Sequence, residues 1–331
     1  MNEICVVGGS GFIGTRLVNR LLQSKILGVR IIDKVPSLRF PDLVSLGDVC
    51  SPDDLRKFIS KNSIIVNLAA EHRDDVRPLS LYDDVNVGGA RNLCSIANER
   101  GVNRIIFTSS VAIYGFAPIG TDEFGNPAPF NDYGRTKFEA EQIFKEWQAE
   151  APKERTLVII RPTVVFGEQN RGNVYNLLRQ IASGKFIMIG TGENRKSMAY
   201  VENVAAFIEF GIRLPAGVHI YNYIDKPDFT MSTLVGNVNK ILGRHEKIKL
   251  RLPFSLGYMI AKGFDLTSLV TGRRFPISAI RVKKFCANSV YNTAIDKTEF
   301  VPPVPLEKAL EQTVRHEFLE LHEDEPLYFS E

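Results

Sequence analysis

The chain has 331 residues, 44% of them hydrophobic and 24% charged, with four cysteines and a net charge of +3. That composition excludes a disordered chain, a collagen, a coiled coil and a disulfide scaffold, and the length suits about two domains. The longest mostly apolar stretch, 254–270, carries Lys262 and Asp265 and is too short for an ordinary membrane span. The N-terminus shows no basic leader region, and Cys5, Cys50, Cys94 and Cys286 form no CxxC, so the sequence reads as a cytosolic protein with reduced thiols.

In chain order, short β-branched runs alternate with helical patterns. Residues 3–7 predict a buried strand, and 12–24, with Ile13, Leu17 and Leu21 at helical spacing, predict a helix. Residues 29–32 and 64–68 predict two more strands. A helix is expected over 80–100, stopping at Gly101, then a strand over 104–108, a helix over 133–148 and a strand over 156–160. This order predicts an α/β fold, a Rossmann-type doubly wound parallel sheet with helices on both faces. After Gly167 the pattern loosens. The expected division is a first unit over 1–166 and a smaller second lobe over 167–331, with strands returning to the sheet near 200–225, at Tyr200-Val201 and 219–223.

Gly8-Gly9-Ser10-Gly11-Phe12-Ile13-Gly14 joins the first strand to the first helix. Gly8 suits a tight turn, Gly11 a close approach of backbone to a pyrophosphate, and Gly14 the packing of helix on strand. The helix N-terminus offers free N–H groups to the phosphates. Asp33 ends the second strand, 19 residues after Gly14. Its carboxylate can accept both ribose hydroxyls of NAD and would repel the extra phosphate of NADP, a preference that Lys34 opposes. The first unit is therefore read as NAD-binding; a structural turn with a surface Asp is the alternative. Tyr133 and Lys137 stand at i and i+4 on one helix face, where an ammonium lowers a phenol's pKa and makes it an acid/base. A solvated helix face is the plain alternative. Thr108-Ser109-Ser110 closes the preceding strand at the edge where ligands of open α/β sheets bind, and Ser110 can bond both a substrate hydroxyl and the phenol.

Together with 67–70 (Asn-Leu-Ala-Ala), 107–115 and 161–167, these segments resemble the extended short-chain dehydrogenase/reductases, the NAD-dependent nucleotide-sugar epimerases, dehydratases and reductases. The resemblance implies a catalytic set of Ser110, Tyr133 and Lys137, with Ser110 and Tyr133 also touching substrate. It implies NAD contacts from Gly8, Gly11, Phe12, Ile13 and Gly14, from Asp33, and from Asp48 and Val49 beside the adenine. Further NAD contacts are implied for Leu68, Ala69 and Ala70, for Thr108, Tyr133 and Lys137, and for the segment from Pro162 to Val165 under the nicotinamide. Asn86 resembles the helix asparagine that ties down the active-site backbone, against the alternative of an exposed helix asparagine. No metal site is expected. Dehydratases of this family place an Asp-Glu pair after the Ser/Thr. Val111 and Ala112 stand there instead and cannot move a proton, which points to a redox-neutral 4-epimerase.

UDP-sugar epimerases of the family carry an Arg-Asp-Tyr/Phe segment near the substrate diphosphate, and here 195–201 (Arg-Lys-Ser-Met-Ala-Tyr-Val) lacks the acid. Segments 71–76, 171–178, 196–201, 223–228 and 281–287 are similar to bacterial 4-epimerases that interconvert GlcNAc- and GalNAc-diphospho-undecaprenol for O-antigen and other surface polysaccharides. That similarity implies a lipid-linked amino sugar, peripheral attachment at the inner face of the cell membrane, and substrate contacts from Arg171 and Asn173. A UDP-glucose or UDP-GlcNAc 4-epimerase acting on a nucleotide-linked sugar, and an NAD(P)-dependent nucleotide-sugar reductase, are the rival readings.

Charge is unevenly placed. Residues 244–285 hold ten Lys/Arg against two acids, a local +8 that brackets the apolar stretch. Such a segment suits a surface on anionic lipid. The alternative is a core or homodimer helix, although Gly257 and Gly263 weaken any helix there. Aromatic interleaving is sparse, so no nucleic-acid partner is expected.

Overall fold

The computed structural model describes residues 3–24, 28–73, 76–246, 248, 250–271, 278–322 and 325–329. Lys247, Lys249, Arg273 and Arg274 of the basic segment, and Asp74 and Asp75, lie outside the described residues. The strands are β1 (Ile4–Val7), β2 (Val29–Asp33), β3 (Val44–Leu46), β4 (Ile64–Asn67), β5 (Arg104–Thr108), β6 (Thr156–Pro162), β7 (Val164–Phe166), β8 (Met188–Ile189), β9 (Arg195–Tyr200), β10 (Gly217–Tyr223), β11 (Asp225–Thr230) and β12 (Arg251–Leu252). The helices are α1 (Phe12–Gln23), α2 (Pro52–Phe58), α3 (Ser80–Tyr82), α4 (Gly89–Arg100), α5 (Asp132–Ala149), α6 (Asn173–Ala182), α7 (Val201–Gly211), α8 (Met231–Ile241), α9 (Phe254–Thr271), α10 (Ala279–Cys286) and α11 (Leu306–Phe318). A π-helical turn, Asp83–Gly88, joins α3 to α4.

Seven strands form one parallel sheet in the order β10-β6-β5-β4-β1-β2-β3. Period-two side-chain alternation divides its residues between two cores. Cys5, Val7, Ile65, Ile105 and Phe107 pack with Leu93, Phe144 and Trp147 on one face. Ile4, Val6, Val66 and Ile106 pack with Leu17, Val204 and Phe207 on the other. Strands buried on both faces must be apolar at every position, which is why 4–7 and 104–108 read as nearly continuous hydrophobic runs. A third core, around Phe166, Leu178, Met198, Leu234 and Leu310, belongs to the elements after β6.

Of the two segments expected to return to the sheet, 217–223 lies at its edge as β10, beside β6. Tyr200 instead ends β9 in a separate three-stranded sheet, β11-β9-β7, and Val201 opens α7. Polar Arg195, Lys196 and Ser197 could not occupy a doubly covered parallel strand without partners. Among the described residues no helix is long and apolar enough to cross a membrane. The stretch from Phe254 is nevertheless helical: α9 packs on α10 through Ala261, Ala279 and Val282. Gly257 permits this, because a Cβ there would lie 2.7 Å from Ile189 Cγ2. Met259 and Leu266 on α9 are 64% and 63% exposed, which is not the burial of a core helix.

Candidate active site

The strand order reverses between β1 and β4, and the candidate residues gather at the C-terminal ends of these and neighbouring strands. Gly8 has φ +80°, and a Cβ there would lie 2.5 Å from the Ala69 nitrogen, so the glycine loop touches the 68–69 backbone directly. Gly14 faces Gly9, whose Cα a Cβ would meet at 2.5 Å, the packing role expected of it. Gly11 caps α1, and the nearest atom its Cβ would meet is the Gly8 carbonyl at 3.4 Å. That side of the loop is open to a ligand, beside the free N–H groups of the first helical turn.

Asp33 Oδ2 accepts from the Ser10 N–H at 3.0 Å and Oδ1 from the Val35 N–H at 3.2 Å, which fixes the carboxylate beside the glycine loop. Asp48 accepts from the Cys50 N–H at 2.9 Å, and Val49 is buried under Gly89 of α4. Leu68, Ala69 and Ala70 are half-buried after β4; Pro162 is buried and Val165 half-buried at the end of β6 and in β7. Ile13 is half-buried, and Phe12 packs against Tyr328 with ring centroids 6.0 Å apart. Thr108 Oγ1, at the end of β5, is buried without a hydrogen-bond partner among the described residues. A fixed carboxylate for a diol, an open N–H cradle for a diphosphate and an unpartnered hydroxyl at the same sheet edge fit a dinucleotide such as NAD.

Tyr133 and Lys137 stand near the start of α5, which Asn131 caps by accepting from the Gly134 N–H at 3.0 Å. The Ser110 hydroxyl accepts from the Ala112 N–H at 3.1 Å and lies near enough to the Tyr133 phenol to favour its charged form. Lys137 is 2% exposed, its Nζ 4.3 Å from the centroid of the Phe107 ring on β5. Burial drives the Lys137 ammonium down to about 7, with Glu141 pulling the other way. Burial also pushes the Tyr133 phenol above its ordinary value, which the Ser110 hydroxyl partly offsets. The expected lowering of the phenol is therefore reversed, because desolvation penalises the charged form of each group.

Sequence reasoning missed what lies beneath this pair. Ser109 Oγ donates to Glu141 Oε1 at 2.5 Å. Glu141 pairs with Arg161 of β6, Nη2 to Oε2 at 2.6 Å and Nε to Oε1 at 2.9 Å. Arg161 Nη1 donates to the Tyr114 hydroxyl at 2.6 Å, which donates to Asn222 Oδ1 of β10 at 2.9 Å. A signal was present: Glu141 follows Lys137 by four residues and Tyr133 by eight, so it shares their inward face, where a carboxylate needs partners. Asn86, in the π-helical turn, is the tie its resemblance suggests. Its amide accepts from the Glu71 N–H at 2.9 Å, donates to the Glu71 carbonyl at 3.0 Å and donates to Thr136 Oγ1 of α5 at 2.9 Å.

Of the two remaining substrate candidates, Arg171 has its own local partners. Arg171 pairs with Glu317 at 2.8 Å and lies over the Tyr175 ring at 4.1 Å, and Asn173 is exposed at the first position of α6. His316, His322 and Glu325, after and within α11, bring three donor atoms within 4.8 Å of one another near Arg171, apart from the Tyr133 group.

Comparisons with known proteins agree with this fold. The model of the NAD dependent epimerase/dehydratase family matches residues 4–222. The chain is 45% identical, over all of both proteins, to N-acetyl-alpha-D-glucosaminyl-diphospho-ditrans,octacis-undecaprenol 4-epimerase of Escherichia coli O157:H7. It is 30% identical to UDP-glucose 4-epimerase of Vibrio cholerae, over 70% of this chain and 74% of that one. Its fold is similar to that of the UDP-glucose 4-epimerase of Thermotoga maritima crystallised with UDP-glucose, with a TM-score of 0.73, 22% identity, and 96% and 98% of the two chains covered.

Proposed function

Because this chain belongs to the NAD-dependent epimerase/dehydratase family, we propose that it is a 4-epimerase that interconverts GlcNAc- and GalNAc-diphospho-undecaprenol for surface polysaccharide synthesis. The observation that carries this reading is similarity to the Escherichia coli enzyme at 45% identity from end to end.

NAD supplies a hydride acceptor that returns the hydride within the same cycle. Gly8, Gly11 and Gly14 hold its diphosphate, Asp33 its adenosine ribose, and the 68–70 and 162–165 segments the nicotinamide side. Tyr133, as phenolate, would take the proton of the sugar's 4-hydroxyl and give it back to O4 when the 4-keto sugar, turned over in the site, is reduced again; bound NAD would supply the place where the C4 hydride is held in between. Ser110, beside Tyr133, holds O4 of the sugar. Lys137 holds the nicotinamide ribose. Val111 and Ala112 add no acid or base, so the ketone is returned to an alcohol rather than dehydrated. The protein works at the inner face of the cell membrane as a peripheral protein, through the basic residues of 244–285.

The test is to give the pure protein GlcNAc-diphospho-undecaprenol and UDP-GlcNAc side by side and to resolve the products by C4 configuration. Inversion of the lipid-linked sugar with little or none of UDP-GlcNAc is expected. Efficient inversion of UDP-GlcNAc alone makes the chain a UDP-sugar 4-epimerase.

A further inference from the structure

A cavity of about 870 Å³ lies between β8, β12 and the facing ends of α9 and α10. Its walls include Ile189, Leu252, Phe254 and Cys286, with Arg251 and Lys283 as cations. A volume in this range holds a drug-sized ligand and not a long polyprenyl chain. Few polar edges face it uncommitted. The Asn194 amide donates to the Phe285 and Ala287 carbonyls, and Arg251 donates to the Thr191 carbonyl. A nucleobase needs donors and acceptors set to its edge, and a cavity whose amide is spent on its own backbone supplies them poorly.

The cavity wall reaches the aromatic pair that flanks the segment leading to Tyr133. Lys283 Nζ lies 5.2 Å from the Phe116 ring centroid and Lys284 Nζ 4.6 Å from that of Phe130. Those two rings stack at 5.0 Å, one shortly after the 111–114 turn and the other three residues before Tyr133. Lys196, in the segment that lacks the family's acid, has a structural part here. Lys196 Nζ donates to the Lys284 carbonyl at 2.8 Å and the Ala287 carbonyl at 2.7 Å, so it anchors the C-terminal end of α10 against β9. On the other side the wall continues into α9. There Leu256, Met259 and Ile260 stand at i, i+3 and i+4 and are 41%, 64% and 45% exposed. Monomeric soluble proteins rarely leave such a stripe uncovered.

We infer that this cavity binds the diphosphate and first isoprenoid units of the substrate, with Lys283 on the diphosphate, and that the rest of the tail leaves along the exposed apolar face of α9. The inference rests on the lipid-linked reading above and deepens it. Cation and hydrocarbon are adjacent in the wall as phosphate and prenyl chain are adjacent in the ligand, and the α9 face is covered by that chain and the bilayer it enters.

The experiment compares kcat/KM of the NAD-loaded enzyme on GlcNAc diphosphates esterified to methyl, to one, to three and to eleven isoprenoid units, with UDP-GlcNAc as a separate arm. All are assayed in one detergent, for the wild type, Phe254→Ser and Leu252→Ser. In the wild type kcat/KM rises by roughly tenfold or more from methyl to three units, mainly through KM, and then changes little. Each variant loses most of that gain, and bound NAD and an unchanged melting temperature confirm that it is folded. Equal efficiency on methyl and three-unit substrates, or a gain that both variants retain, overturns the cavity assignment and leaves the lipid-linked reading standing. UDP-GlcNAc as the best substrate, with no inversion of any prenyl-linked sugar, overturns that reading and the cavity assignment together.

Discussion

Around Tyr133 the chain buries charge, and around α9 it exposes hydrocarbon. Lys137, Glu141 and Arg161 are at most 3% exposed, whereas Met259 and Leu266 are more than 60% exposed. Each arrangement is costly in isolation. A buried charge needs a partner of fixed geometry, so Glu141 is held by Ser109 and Arg161, and Arg161 in turn by Tyr114. An exposed apolar stripe needs a cover, and the described residues do not provide one. The charges around Tyr133 are thus satisfied within the fold, whereas the apolar face of α9 stays exposed among the described residues.

The sharpest way to test the first half is to remove one oxygen. Tyr133→Phe is expected to lower turnover by about 10²–10⁴-fold, the usual contribution of a general acid/base, while the protein keeps its bound NAD. Near-normal turnover, measured with product resolved at C4, breaks the assignment of Tyr133. Next in size is the buried pair. Glu141→Ala leaves the Arg161 guanidinium buried without its carboxylate and should cost about 3–5 kcal/mol of stability in urea denaturation. A loss below about 1 kcal/mol shows that water reaches the pair and that this side is less closed than its burial indicates.

These two residues were not equally legible. Tyr133 and Lys137 declare themselves by spacing, and the glycine loop by its place between a strand and a helix. Glu141 and Arg161 look like ordinary charged residues until β6 and α5 are brought together, since sequence spacing carries no partner across 20 positions. Asn86 depends on a π-helical turn that no apolar periodicity announces. The parallel sheet was readable because doubly buried strands are apolar throughout, yet β3, with three residues, and α2, with seven, gave no comparable run. At α9 the glycines argued against a helix, and Gly257 proved to be where the helix must approach Ile189 closely. The direction of the Tyr133 shift was misread because spacing reports proximity and says nothing of desolvation.

A smaller effect follows from the depressed Lys137 ammonium. The ordinary lysine value is 10.5 and the folded one about 7. Between them the unfolded chain binds a proton that the native chain does not, so this residue makes stability rise with pH, by up to about 1.4 kcal/mol per unit. Below about pH 7 its contribution is flat. Lys137→Met removes the term. Urea denaturation from pH 6.5 to 9 should therefore show the wild type gaining on the variant as pH rises. Parallel curves mean that the ammonium is solvated or ion-paired, and the contrast between a dry catalytic region and an open α9 region weakens accordingly.

The smallest effects belong to the α9 region, and they separate its two components. Lys283 and Lys284 are surface cations of α10, and a cation near an anionic bilayer contributes about 1 kcal/mol. Replacing both with Gln should weaken co-sedimentation with phosphatidylglycerol-containing vesicles by about 2 kcal/mol, roughly thirtyfold, and leave NAD binding intact. That loss should vanish in high salt, because screening already removes the attraction there. Met259→Ser with Leu266→Ser acts differently, since hydrocarbon transfer is not screened by salt. This pair should weaken the binding that survives at 1 M NaCl and leave the salt-dependent part unchanged. Two separable losses mean that the basic flank brings the protein to the membrane and the apolar stripe holds it there. If the serine pair changes nothing at either salt concentration, the exposed stripe of α9 does not meet lipid, and the peripheral attachment rests on charge alone.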